Sequence, residues 1–120
     1  MKNFFAAILS MFVVTSAMAQ PNHLEYHGTD PDQSAEADVD FENHQFSLTA
    51  GVKDRCSGGF DSNSAGVNWK DNSFFVVSND GECVVTFHRQ GKGIYSTTES
   101  SGCSSYHGAG CGFELPGVWY

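Results

Sequence analysis

The chain reads as an all-β protein: an antiparallel meander over about residues 66 to 98, set in a small β-sandwich or barrel and stapled by two disulfides. Three observations predict this. Four strand-like runs between Gly66 and Thr98 are separated by turn centres at Asp71-Asn72, Asp80-Gly81 and Gln90-Gly91, residue types that tolerate positive φ. The registers imposed by those turns agree on one apolar face. Four cysteines, an even number, lie beyond the N-terminal segment.

The first turn pairs Lys70 with Ser73 and sets Trp69 opposite Phe74 and Val67 opposite Val76. The second pairs Asn79 with Glu82, so that Val76 faces Val85 and Phe74 faces Phe87. The third pairs Arg89 with Lys92 and sets Phe87 opposite Ile94. Side chains alternate along a strand, so three independent registers that collect Val67, Trp69, Phe74, Val76, Cys83, Val85, Phe87 and Ile94 on one side identify the buried face. The opposite side carries Asn68, Phe75, Val77, Val84, Thr86, His88, Tyr95 and Thr97, a mixed face that calls for partial cover. The runs from His44 to Ala50 and from Cys111 to Tyr120 are available as covering strands, which gives the second layer.

Ahead of the domain, Lys2, the apolar run Phe4 to Val14 and Ala17-Met18-Ala19 have the three-part layout of a secretory signal. Residues 1–19 are therefore expected to be removed, leaving one secreted, extracellular domain that begins at Gln20. The apolar run is too short for a membrane span. In an oxidising compartment Cys56, Cys83, Cys103 and Cys111 are expected to pair, and no Cys-x-x-Cys or finger spacing points to a metal. Cys83 opens the third strand of the meander opposite Thr98, with Cys103 five residues further on. This favours Cys83–Cys103 with Cys56–Cys111 over Cys56–Cys83 with Cys103–Cys111.

Charge divides the remainder. The chain has 14 acidic and 6 basic residues, and Gln20 to Asn43 holds acids, two prolines and no Lys or Arg. With few large apolar residues, segment 20–43 is expected to be a disordered acidic leader, and 44–120 the disulfide-stapled domain. An acidic protein with no basic patch is a poor binder of nucleic acid or of anionic membranes. No Asn-x-Ser/Thr sequon occurs after the signal.

The sequence holds few groups for chemistry. His23 and His27 in the leader are expected to be solvent-exposed, and neither a metal nor a cofactor is expected. His88, Arg89 and His107, with Glu82 and Glu99, are the acid–base groups within the domain. A metal-independent ribonuclease would need a base, an acid and an Arg near the phosphate. Glu82 and Arg89 end the same strand, roughly 20 Å apart at about 3.3 Å per residue, and cannot meet at one atom. A site built from His88, Arg89 and a loop residue such as His107 is the catalytic alternative. No Gly-x-Ser-x-Gly elbow occurs. For binding, Phe75, Tyr95, Trp119 and Tyr120 are the candidates, because aromatics flanked by Thr, Asn and His suit a sugar or a protein. The Gly/Ser-rich stretches Ser57 to Ser64 and Ser100 to Gly112 are expected to be surface loops.

The signal ending Ala17-Met18-Ala19, the four cysteines, the low Lys content and the Gly/Ser/Asn-rich loops resemble the small, cysteine-stapled, β-rich secreted proteins of filamentous fungi. That resemblance implies an effector, toxin or allergen-like role toward a host or competitor protein or a cell-wall glycan. Size, acidity and four cysteines are also similar to the small guanine-specific fungal ribonucleases, whose catalytic motifs are not found in this chain.

Overall fold

The structure, a computed structural model, describes residues 21–120. Residues 1–20, which include the expected signal segment 1–19, lie outside the described residues. Nine strands form one antiparallel sheet: β1 (His23–His27), β2 (Gln33–Asp40), β3 (Gln45–Val52), β4 (Cys56–Ser62), β5 (Ala65–Asn68), β6 (Ser73–Val77), β7 (Val84–Gly91), β8 (Ile94–Glu99) and β9 (Val118–Trp119). The order across the sheet is β4-β3-β2-β1-β9-β8-β7-β6-β5. The all-β, two-disulfide expectation is met.

The ladders fix how the sheet closes. Every pairing is antiparallel, including β1 with β9 and β9 with β8. Directions therefore alternate around the ring, and β4 and β5 must point the same way. Only Asn63 and Ser64 separate them, so β4 and β5 are one strand bent at a corner, leaving one meander (β1–β4) and entering the next (β5–β8). The corner is tied by the Ser62 hydroxyl, which donates to the Val77 carbonyl at 2.6 Å and accepts the Ser64 N–H at 3.0 Å. The Ala65 N–H donates to the His44 carbonyl at 3.2 Å. The result is a nearly closed up-and-down barrel.

One aromatic core fills it. Phe74 and Phe87 stack at 4.6 Å, Trp119 meets Phe87 edge-on at 5.1 Å, and Phe60 packs against Phe46 and Phe113. Phe74, Val76, Cys83, Val85 and Phe87 are buried as the alternation requires. Cys83–Cys103 and Cys56–Cys111 are both formed. The short 3-10 helix Ser101–Tyr106 carries Cys103 to the start of β7, and Cys111 anchors the C-terminal segment to the start of β4.

Five expectations change. First, segment 20–43 is not a disordered leader within the described residues: it supplies β1 and β2. Leu24, Tyr26, Ala35, Ala37 and Val39 point into the core while the acids alternate outward. Second, the β5–β6 register is shifted by two residues, pairing Val67 with Phe74 and Asn68 with Ser73. Trp69 enters a 3-10 turn, Trp69–Asp71, and is 42% exposed. Third, the β7–β8 turn falls on Lys92-Gly93, with Gly93 at φ 72°, so Phe87 faces Thr97 and Arg89 faces Tyr95. That odd-numbered slip turns Tyr95 and Thr97 inward and leaves Ile94 exposed. Fourth, of the run from Cys111 to Tyr120, only Val118–Trp119 forms a strand. Fifth, the Gly/Ser-rich stretch Ser57 to Ser64 is not a loop: through Ser62 it belongs to β4, paired with β3, and Gly59 allows the close approach of the Leu48 carbonyl. The Asp80-Gly81 turn and the β6–β7 register stand as expected.

Candidate functional site

The barrel interior holds side chains, so any surface for a ligand is on the outside. The two meanders present different outer faces, and the difference follows from which residues occupy the outward alternate positions. On β1–β4 these include Glu25, Glu36, Asp38, Asp40 and Asp61, with no Lys or Arg. His23 sits among them, its Nδ1 2.7 Å from Asp38 and its Nε2 3.5 Å from Glu25. The hydrogen bond to Asp38 is the main cause of a raised His23 pKa. An open cleft of about 860 Å³ lies here, edged by His23, Asp38, Ser47, Asp61 and Asn79. Among the described residues, no group of three or more His, Cys, Asp or Glu is placed to hold a metal ion.

The outward positions of β5–β8 carry no Asp, Glu, Lys or Arg at all. They are Gly66 and Asn68, then Ser73, Phe75 and Val77, then Val84, Thr86, His88 and Gln90, then Ile94, Ser96 and Thr98. Phe75 is half-buried and its ring lies over Gly66, where an added Cβ would meet the ring at 2.6 Å. The glycine therefore gives the aromatic a flat seat on the sheet. Phe75 stands opposite Thr86, and further across the face the polar groups of β7 and β8 bond one another: His88 Nε2 is 2.8 Å from Thr98 Oγ1, and Gln90 Nε2 donates to Ser96 Oγ at 2.8 Å. Tyr120, 55% exposed, lies on the outer surface beside β1, stacked on His27 at 3.7 Å and bonded through its backbone to Glu25.

The four aromatic binding candidates separate. Phe75 and Tyr120 belong to the outer surface. Tyr95, at 4% exposure, and Trp119, fully buried, are core residues and offer nothing to a partner. Burial raises the Tyr95 hydroxyl pKa, against the opposing pull of Arg89. Thr97 explains part of this arrangement. Its buried hydroxyl donates to the Phe113 carbonyl at 2.6 Å and accepts the Leu115 N–H and the Trp119 Nε1–H, each at 3.3 Å. The C-terminal segment is thereby fixed across the end of β8. Ile94, assigned to the core by the sequence register, joins the outer face instead; the second glycine of Gly91-Lys92-Gly93 was the signal for it.

The acid–base candidates are not brought together. His88 lies on the outer face against Thr98. Arg89 has inward parity, opposite Tyr95, and its Nε donates to the Gly91 carbonyl at 3.1 Å. His107 bridges to Gly58 on β4 and pairs with Glu99 at the far end of β8. Both His107 nitrogens are engaged, Nδ1 2.9 Å from the Gly108 carbonyl and Nε2 3.1 Å from the Glu99 carboxylate. Both ring nitrogens face protein oxygens, away from His88 and Arg89. Glu99 also accepts the Phe113 N–H at 2.6 Å. Asp80, in the β6–β7 turn, is lowered to about 2 by bonds from the Ser78 hydroxyl, the Tyr106 hydroxyl and the Glu82 N–H, a turn-fixing role.

No helix among the described residues is long and apolar enough to cross a membrane. Comparison with known proteins finds no matching family model, no matching curated protein and no matching solved structure.

Proposed function

We propose that the protein is a secreted, non-enzymatic binding protein, effector-like in role, that recognises a neutral cell-wall glycan of a host or competitor through the outer face of β5–β8. The observation that carries this reading is the uncharged face itself. In a chain of formal net charge −8, twelve outward strand positions carry no Asp, Glu, Lys or Arg. A half-buried phenyl ring seated on glycine, on a face that carries hydroxyl, amide and imidazole groups, offers a C–H-stacking platform with hydrogen-bond partners across the face. Two disulfides suit an oxidising, extracellular setting.

Co-sedimentation with insoluble chitin and β-glucan tests the reading. Wild-type protein is expected to be retained, Phe75→Ala to lose retention at least tenfold, and Asp38→Asn on the acidic face to behave as wild type. If no neutral polysaccharide retains the protein, the glycan reading fails and a protein partner replaces it. Metal-independent RNA cleavage that disappears in His88→Ala would replace it with the ribonuclease alternative.

A further inference from the structure

Residues 106–108 lie along the outer edge of β4 like a strap. Gly58 and His107 form an antiparallel bridge, and the Gly108 N–H donates to the Ser57 carbonyl at 3.1 Å. Gly58 is required there, because a Cβ would collide with the His107 side chain and backbone. The strap covers a place the sheet itself leaves open, since the strand that follows β4 is its own continuation rather than a neighbour. An uncovered edge of this kind is a template for pairing with another chain.

The strap is fastened by His107. Its ring is half-buried, and both nitrogens face oxygens that only accept: the Gly108 carbonyl and the Glu99 carboxylate. A neutral imidazole has one N–H, so in either tautomer one ring lone pair points at an oxygen about 3 Å away; only the imidazolium satisfies both partners. The titratable group packed against the ring is Glu99 on β8. Glu114 stands behind it, accepting the Glu99 N–H at 3.1 Å. The other neighbours, Gly58 of β4, Gly112, the Phe113 ring and the Cys56–Cys111 disulfide, do not titrate.

We propose that His107 and Glu99 form a pH-sensitive clasp, which holds segment 106–113 over the β4 edge while the imidazole is charged and lets it lift as the ring loses its proton. Burial of the ring disfavours the charge, but the Gly108 carbonyl and the Glu99 carboxylate outweigh it, and the His107 pKa stands above its ordinary 6.5. A raised folded-state pKa gives stabilisation that is complete below the ordinary value and is lost as pH rises through the folded one. Cys103 and Cys111 remain tethered on either side, so the opening is local.

The full-length folded protein supplies two reporters, the Phe113 amide bonded to Glu99 and the Gly108 amide bonded to Ser57. Ring NMR titration together with hydrogen exchange, read as protection factors from pH 5 to 9, tests the clasp. The His107 ring is expected to titrate above 6.5, and both amides to lose protection by up to about tenfold per pH unit across that titration. The Cys103 amide, bonded to the Ser100 carbonyl, serves as the reference and is expected to hold. Glu99→Gln should lower the ring pKa and flatten the pH dependence. A wild-type ring that titrates at or below 6.5, or reporter protection that does not change with pH, overturns the proposal. Neither measurement depends on a variant that fails to fold.

Discussion

Replacing Thr97 by Val should destabilise the barrel by about 3 kcal/mol, although the substitution makes a buried site more apolar at nearly constant volume. Thr97 is 4% exposed, and its hydroxyl uses its one hydrogen and both lone pairs. Valine keeps the methyl contact and strands three groups: the Phe113 carbonyl, the Leu115 N–H and the Trp119 indole N–H. An unsatisfied buried group costs about 1 to 3 kcal/mol, and the two 3.3 Å bonds place their share near the lower end. Thr97→Ser retains the hydroxyl and gives up only a methyl group, worth roughly 1 kcal/mol. The hydrogen-bond argument thus predicts that Val is the worse replacement, and an argument from apolar burial predicts the reverse. Urea melts followed by far-UV circular dichroism measure both without relying on the emission of Trp119 itself. A double-mutant cycle with Trp119→Phe should give a coupling of about 1 kcal/mol for the indole bond. If Thr97→Val unfolds within about 0.5 kcal/mol of wild type, or later than Thr97→Ser, the three contacts do not hold the C-terminal segment and the reasoning fails.

Other outcomes follow from the same contacts. Removing residues 21–40 should abolish cooperative unfolding, because β1 closes the ring against β9; Leu24→Ala alone should cost about 2 to 5 kcal/mol in denaturant melts. Tyr95→Ala should cost about 3 kcal/mol or more, whereas Phe75→Ala should stay within about 1 kcal/mol of wild type and lose glycan retention. The lowered pKa of Asp80, caused first by the Ser78 hydroxyl, contributes stability that is present above its ordinary 3.8 and disappears as pH falls toward about 2. Thermal midpoints measured from pH 5 to pH 2 should therefore drop in wild type, and part of that drop should be missing in Asp80→Asn.

The meander was legible because parity is a robust quantity. In the β5–β6 pair the register read from Asp71-Asn72 is two residues off, and an even slip leaves every side chain on its face. Only Trp69 is misplaced, because the four residues of the turn, with Asn72 at φ 55°, take it out of the strand. In the β7–β8 pair two glycines compete for the turn, and choosing Gly91 over Gly93 shifts the register by an odd count that inverts β8. The inversion places Tyr95 on the outer face and Ile94 in the core, the reverse of their positions in the barrel. The favoured disulfide pairing was right for a related reason. Cys83 opens β7, and a chain leaving β8 must pass that point whichever face β8 presents.

The acidic segment was lost to composition when its alternation was readable. Ser34-Ala35-Glu36-Ala37-Asp38-Val39-Asp40 alternates small apolar with charged residues at period two, the pattern of a strand with one face on a core. Averaged over the segment, seven acids and few large apolar groups read as disorder. Averaging discards position. Ala35, Ala37 and Val39 bury little area each, but they lie in register with Ala50, Leu48 and Phe46 on β3, and the larger partners fill the core. The acids of β1 and β2, Glu25, Glu36, Asp38 and Asp40, all on the other side, then have a structural consequence that a disordered tail would not: they give one half of the barrel a fixed negative face. The uncharged face of β5–β8 is distinctive only by contrast with it. Neutralising the acidic face with Glu36→Gln and Asp38→Asn should leave retention on neutral glycans intact and weaken binding to cationic polysaccharides, which raises the preference for the neutral class. Equal loss of binding to both classes would show that the two faces act as one surface.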